Sequence, residues 1–250
     1  MTKRTLIGAL AVALALICIG CNSSTNNPTS LEKPIVSAAG SGDGGTLTLS
    51  WNAVTDAKSY EITAGDSVYT TTSTSFDVST PAAAIEVRAV SGSVKSDPDT
   101  IDCKVVEGTA EFYGDLDPTH ANGFGFDDNG GVVACTLKVP SQSGMDFHAD
   151  SSHGQMKLVA SQQRARGLGD QLKAASGSYD GITMADPVVG YSASLAITAD
   201  SAYYLRISAV ADTWKAADNY AKARVDSVVG AKVSLTTAYQ KIPGLRWLVK

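Results

Sequence analysis

The sequence predicts an all-β protein built from two consecutive antiparallel units. Three observations predict it. Short segments of alternating apolar and polar residues recur at intervals of roughly 8 to 12 positions, the spacing of sandwich strands and their turns. Clusters of Gly, Asp, Asn, Ser and Pro separate those segments. Thr, Val and Ser are abundant relative to Leu and Glu, which favours strands over helices. At 250 residues the chain is long enough for two domains that each bury a core. The formal net charge is -5, and no run of Lys or Arg occurs beyond the extreme N-terminus, so the electrostatic footprint of a nucleic-acid binder is missing.

Residues 1–20 read as an export signal. Lys3 and Arg4 form a positive head, Thr5 to Ile19 an uncharged, predominantly apolar core, and Gly20 a small residue before Cys21. The apolar run falls short of the about 20 residues that a membrane-spanning helix needs, so a permanent span is not expected. The segment Ile17-Cys18-Ile19-Gly20-Cys21 resembles the lipobox of bacterial lipoprotein precursors, with Cys18 where Leu is commoner. The resemblance implies diacylglycerol on the Cys21 thiol, cleavage after Gly20, and acylation of the new amino group, palmitate being a typical chain. At about 0.8 kcal/mol per buried methylene, several acyl chains anchor a protein stably. Asn22 follows the cysteine, and in a diderm host the resemblance then implies transport to the outer membrane, with the body facing the periplasm or the outside. Residues 21–31 are nearly devoid of apolar side chains and are expected to form a flexible tether.

The first folded unit is expected over residues 32–104. In Thr46 to Trp51, side chains alternate so that Leu47, Leu49 and Trp51 share one face; Tyr60 with Ile62, and Ile85 with Val87 and Ala89, supply two further inward rows. Pro34 ahead of the first strand, the LTLSW segment ending at Trp51, the segment around Tyr60 and IEVRAVSG around Arg88 together resemble a fibronectin type III domain over about 70 residues. The resemblance implies a β-sandwich acting as a spacer or as a protein- or glycan-contacting module. Ile85 stands where that family carries the tyrosine of its corner motif, and loss of the hydroxyl contact is expected to cost about 1–2 kcal/mol without changing topology. Gly65-Asp66-Ser67 superficially matches the nucleophile block of GDS-type hydrolases, but the pattern places it in a hairpin turn.

The second unit, residues 105–250, is expected to be an antiparallel sandwich or flattened barrel. Strand-like segments continue through TAEFYGDL, GFGFD and VVACTLKV, and again through SLAIT, AYYLRISAV, NYAKARVDSVV and KVSLTTAYQ. Tyr220, Ala223 and Val225, and Val233, Leu235 and Thr237, alternate with Lys222, Arg224, Lys232 and Ser234, with a slip of phase at Tyr220. Between them, Leu158, Ala165, Leu168 and Leu172 have spacings that suit one helical turn in a loop interrupted by Gly167 and Gly169. The closing Tyr220-x-Lys222-x-x-Val225 strand and the strand ending at Tyr239-Gln240 resemble the C-terminal hairpin of the HmuY-like haem-binding surface lipoproteins over about 40 residues. That resemblance implies histidine ligation of haem, for which His148 and His153 are the candidates; as zinc ligands the same pair would need the loop to fold back. Two unconnected histidines on a polar loop is the simpler reading, and no cofactor is expected.

Asp115, Asp117, Asp127, Asp128 and Asn129 group around Gly125 and Gly130. Their spacing fits no EF-hand, whereas Asp-Asn-Gly-Gly is hairpin-turn chemistry. Cys103 and Cys135 remain once Cys18 is cleaved away and Cys21 lipidated. An oxidising compartment permits a bridge between them, closing a loop of about 30 residues worth roughly 3 kcal/mol, with two separate buried thiols as the alternative.

None of the motifs that mark hydrolases, phosphate loops or dinucleotide sites occurs, so the chain is read as a non-enzyme. The expected function is a membrane-anchored envelope module that binds a glycan, a protein or another envelope component through exposed aromatic rings, for which Tyr113, Tyr179, Tyr191, Trp214 and Trp247 are the candidates. A haem- or metal-scavenging lipoprotein and a small glycan hydrolase with an accessory domain are the alternatives.

Overall fold

Strands with one apolar face bury it only against another sheet, and the chain does this twice. In a computed structural model, which describes residues 29–114, 119–135, 145–152, 154–161, 171–207 and 213–250, the first sandwich comprises β1 (Val36–Ser41), β2 (Thr46–Trp51), β3 (Ser59–Ala64), β4 (Ser67–Thr71), β5 (Ser75–Val78), β6 (Ala84–Ser91), β7 (Val94–Lys95) and β8 (Asp99–Asp102). One sheet runs β1-β2-β5 and the other β4-β3-β6-β7, with β8 also paired to β6. Every pairing is antiparallel, with Leu49 opposite Phe76 in one sheet and Ile62 opposite Val87 in the other.

The inward rows meet in one core containing Leu47, Leu49, Trp51, Tyr60, Ile62, Ile85, Val87 and Ala89. The Trp51 and Tyr60 rings pack edge to face at 5.3 Å, and the Tyr60 hydroxyl accepts a hydrogen bond from the Val54 amide at 2.9 Å. Ile85 is completely buried, so a hydrocarbon fills its position. Gly65 and Asp66 form the two-residue turn between β3 and β4, with Gly65 at φ 57°, so the Gly-Asp-Ser segment does lie at a hairpin.

The second sandwich comprises β9 (Val106–Tyr113), β10 (Gly123–Phe126), β11 (Val132–Cys135), β12 (Phe147–Asp150), β13 (Lys157–Ala160), β14 (Gln171–Ala174), β15 (Ser194–Ala196), β16 (Ala202–Ile207), β17 (Asn219–Val229) and β18 (Lys232–Tyr239). Its sheets run β11-β10-β12-β13-β15 and β14-β16-β17-β18-β9. Phe112, Phe124, Phe147, Leu158, Leu205, Val225 and Leu235 fill the space between them. A register shift between Val225 and Ser227 marks a bulge in β17.

Two expectations change here, and the slip of phase at Tyr220 gains its cause. Leu158 and Leu172 sit on strands β13 and β14, so their spacing reflects two strands of the sandwich and not a helical face; residues 162–170, including Ala165 and Leu168, lie outside the described residues. Tyr220 points away from Ala223 and Val225, into a separate cluster on the far side of the sheet. Leu245 and Trp247, expected within the second unit, are completely buried in the core of the first.

Candidate functional site

The strongest concentration of buried polar chemistry lies on the outer face of the β14-β16-β17-β18-β9 sheet. A sheet with solvent on one side alternates in burial, yet every residue of β16 is buried. The cause is a third layer: the segment between β14 and β15, with its short 3-10 helix Tyr179–Gly181, lies over the outer face and packs Tyr179, Ile182, Ala185 and Tyr191 against Tyr204 and Tyr220. Ser178 caps that helix, its hydroxyl accepting from the Gly181 amide at 3.3 Å.

Lys222 on β17 is only 1% exposed beneath this layer. Its ammonium donates to the Ile182 carbonyl at 2.7 Å and sits 4.8 Å from the centre of the Tyr179 ring. The Arg224 guanidinium and the Lys250 ammonium approach the same ring at 5.5 and 5.0 Å. Burial, reinforced by the charge of Lys250, holds the Lys222 pKa below the ordinary lysine value. Lys250 in turn pairs with Asp180 at 2.8 Å and Glu107 at 2.9 Å, joining the 3-10 helix to β9.

At the start of β17, Arg206 and Asp218 form an ion pair at 3.0 Å with both side chains fully buried. Arg206 also donates to Gln171 Oε1 at 3.2 Å and to the Thr213 carbonyl, while Asp218 accepts from the Lys215 amide at 2.8 Å. Burial outweighs the arginine and raises the Asp218 pKa. Burial, with a smaller push from Asp218, takes the Tyr220 phenol up to about 12, and burial raises Tyr179 and Tyr191 as well. Arg206, Asp218 and the tyrosines are withdrawn from solvent, and Lys222 bonds the covering segment to the sheet.

Of the aromatic residues expected at a binding surface, Tyr179, Tyr191 and Trp247 are buried, which removes them as exposed contacts. The correction has one physical reason: large rings supply the apolar area that the third layer and the first core need. Trp214 and Tyr113 are partly exposed. Trp214 donates its indole N–H to the Gly244 carbonyl at 2.9 Å, and Tyr113 stacks on His120 at 4.1 Å.

Cys103 is buried at the edge of the first core and Cys135 at the end of β11, and no bond joins them. Each thiol points to a carbonyl two residues back, Cys103 to Ile101 at 3.8 Å and Cys135 to Val133 at 3.5 Å, so the expected bridge is corrected to two separate buried thiols. Burial lifts the Cys103 thiol to about 12. His148 is half-buried on β12, where burial lowers its pKa, and His153 lies outside the described residues. Asp127 closes the β10–β11 turn, its carboxylate accepting from the Asn129 and Gly131 amides at 2.8 Å each. Asp115 and Asp117 lie outside the described residues.

The buried ion pair and the buried lysine were not expected from the sequence. An eleven-residue strand reading NYAKARVDSVV offers alternation alone, and alternation places Lys222 in solvent. The one available signal was the slip of phase at Tyr220, which marks a strand with both faces covered.

Fold and site together define an all-β protein of two sandwiches with a polar and aromatic layer sealed on one sheet. No protein-family model matches the sequence, and comparison with curated proteins gives no match. Among solved structures the chain is similar to a DUF4466 family protein from Parabacteroides merdae, at 9% identity and a TM-score of 0.40, covering 87% of this chain and 96% of that one. It is also similar to the chitinase ChiA74 from Bacillus thuringiensis, at 15% identity and a TM-score of 0.25, covering 84% of this chain and 27% of that one.

Proposed function

We propose that the chain is a cell-envelope lipoprotein, anchored through acylated Cys21 at the outer membrane, whose two sandwiches act as a non-catalytic module that engages a glycan, a protein or another envelope component. The carrying observation is the three-part segment ending at Gly20-Cys21, followed by a polar tether that leads into the folded body near Leu31. Supporting it, β1-β2-β5 faces β4-β3-β6-β7, an order that agrees with a fibronectin type III-like module. In this reading the tether lifts the sandwiches from the lipid surface, and Tyr113 and Trp214 are the aromatic contacts that keep exposed surface.

The anchor is tested by growing cells with radiolabelled palmitate and comparing the wild type with Cys21→Ser. Label entering only the wild type, with the variant leaving the membrane fraction, is the expected result; equal fractionation of the two defeats the reading. The binding role is tested on glycan arrays and by envelope pull-downs with a soluble fragment beginning at Leu31. Complete silence in both assays would reject it.

A further inference from the structure

Residues 241–250 belong by sequence order to the second sandwich, yet they cross to the first and return. Trp247 is completely buried in the first core, and its indole N–H donates to the Gly45 carbonyl at 3.0 Å. The Arg246 amide donates to the Gly44 carbonyl at 2.9 Å. The approach is so close that a β-carbon on Gly40 or Gly44 would collide with the backbone of Gly244. Toward the second sandwich the same segment is held by the Ala185 amide donating to the Arg246 carbonyl at 2.7 Å and the Leu248 amide donating to the Thr183 carbonyl at 2.7 Å. Thr183 and Ala185 lie in the segment that seals the polar layer.

One side chain spans both contacts. The Arg246 guanidinium, 5% exposed as a residue, donates to the Asp43 carbonyl at 2.8 Å, pairs with the Asp43 carboxylate at 3.0 Å and donates to the Ala185 carbonyl. Asp43 belongs to the β1–β2 turn of the first sandwich, and Ala185 to the covering segment of the second. Gln240 secures the start of the strap, its side-chain amide donating to the Cys103 carbonyl at 3.0 Å and the Trp247 carbonyl at 2.8 Å.

We propose that residues 241–250 are a latch that couples docking of the two sandwiches to closure of the covering segment over Tyr220 and Lys222. Undocking the β1–β2 turn withdraws partners from Arg246, and Arg246 is what holds Ala185. The two openings are therefore one event, and a force or partner acting on the first sandwich uncovers the aromatic and cationic face of the second. The latch acts whether or not Cys21 is acylated, so its test is separate from that of the anchor.

The test is native-state amide hydrogen exchange on the wild type and Asp43→Ala, a substitution in the first sandwich that touches no residue of the covering segment. Cooperative opening exposes all of its amides with one free energy. The Arg246, Ala185 and Leu248 amides are expected to share one opening free energy in the wild type, and all three to exchange about tenfold faster in the variant, while Ile62 on β3 and Leu205 on β16 stay unchanged. Acceleration confined to Arg246, or no acceleration, overturns the latch. Should Asp43→Ala loosen β3 and β16 as well, Asp43→Asn, which keeps the side-chain oxygen and removes the charge paired with Arg246, decides: joint acceleration at Ala185 and Leu248 upholds the coupling, and its absence rejects it.

Discussion

Trp247 donates its indole N–H to the carbonyl of Gly45, 3.0 Å away and 202 positions earlier in the chain, and in doing so completes the core of a sandwich whose own strands end at Asp102. The first sandwich thus depends on residues that follow the whole of the second.

Trp247→Ala removes the largest fully buried side chain among the described residues and is expected to destabilise the protein by about 3–5 kcal/mol, the range for truncating a buried aromatic. Urea denaturation followed by circular dichroism measures the loss. A change below about 1 kcal/mol would mean that the first core closes without the indole.

Arg206→Met leaves the Asp218 carboxylate buried without its cation and is expected to cost about 3–5 kcal/mol. Adding Asp218→Leu removes the stranded charge and should recover much of that cost. A double-mutant cycle checks both statements, and strictly additive losses would show that the two side chains do not act as a pair.

Alkaline stability follows from the tyrosines. Burial raises the Tyr220 phenol to about 12 and raises Tyr179 and Tyr191, while the same phenols in the unfolded chain ionise near their ordinary value of about 10. A group whose folded pKa lies above its unfolded one contributes stability that is complete below the unfolded value and is lost as pH rises through the folded value. Stability carried by these three is therefore expected to fall from about pH 10 upward, for Tyr220 across the window to about 12. Absorbance titration at 295 nm should show a tyrosine fraction that ionises only with unfolding; ionisation of all nine tyrosines near pH 10 in the folded state contradicts it.

The Cys103 thiol, lifted to about 12 by burial, is about one part in ten thousand thiolate at pH 8 and is expected to resist alkylation in the folded protein. In denaturant without reductant, Cys103 and Cys135 should both alkylate, as mapped by peptide mass. Labelling of either site only after reduction would reveal a bridge.

Much of the strand pattern was legible in the sequence. Leu47, Leu49 and Trp51, or Val233 and Leu235, announce their shared face because side chains on a strand alternate, and the Gly65-Asp66 and Asp127 to Gly131 turns announce themselves by residues that accept tight-turn backbone. The candidate site was not. Lys222, Arg224 and Tyr220 look like the solvent side of an edge-on sheet until a segment some 40 positions earlier covers them. Tyr179, Tyr191 and Trp247 look exposed for the same reason, since an isolated ring in a polar stretch carries no mark of what will pack on it.

Local rules thus decided the all-β class, the strand periodicity and the chemistry of the turns, because each depends on backbone sterics and on neighbours one or two residues away. Only the tertiary structure decided that a third layer seals the outer sheet, that an arginine and an aspartate share a buried interior, and that Arg246 and Trp247 return to the first sandwich. Those outcomes rest on burial between segments distant in sequence, and burial is a property of the assembled chain rather than of any stretch of it.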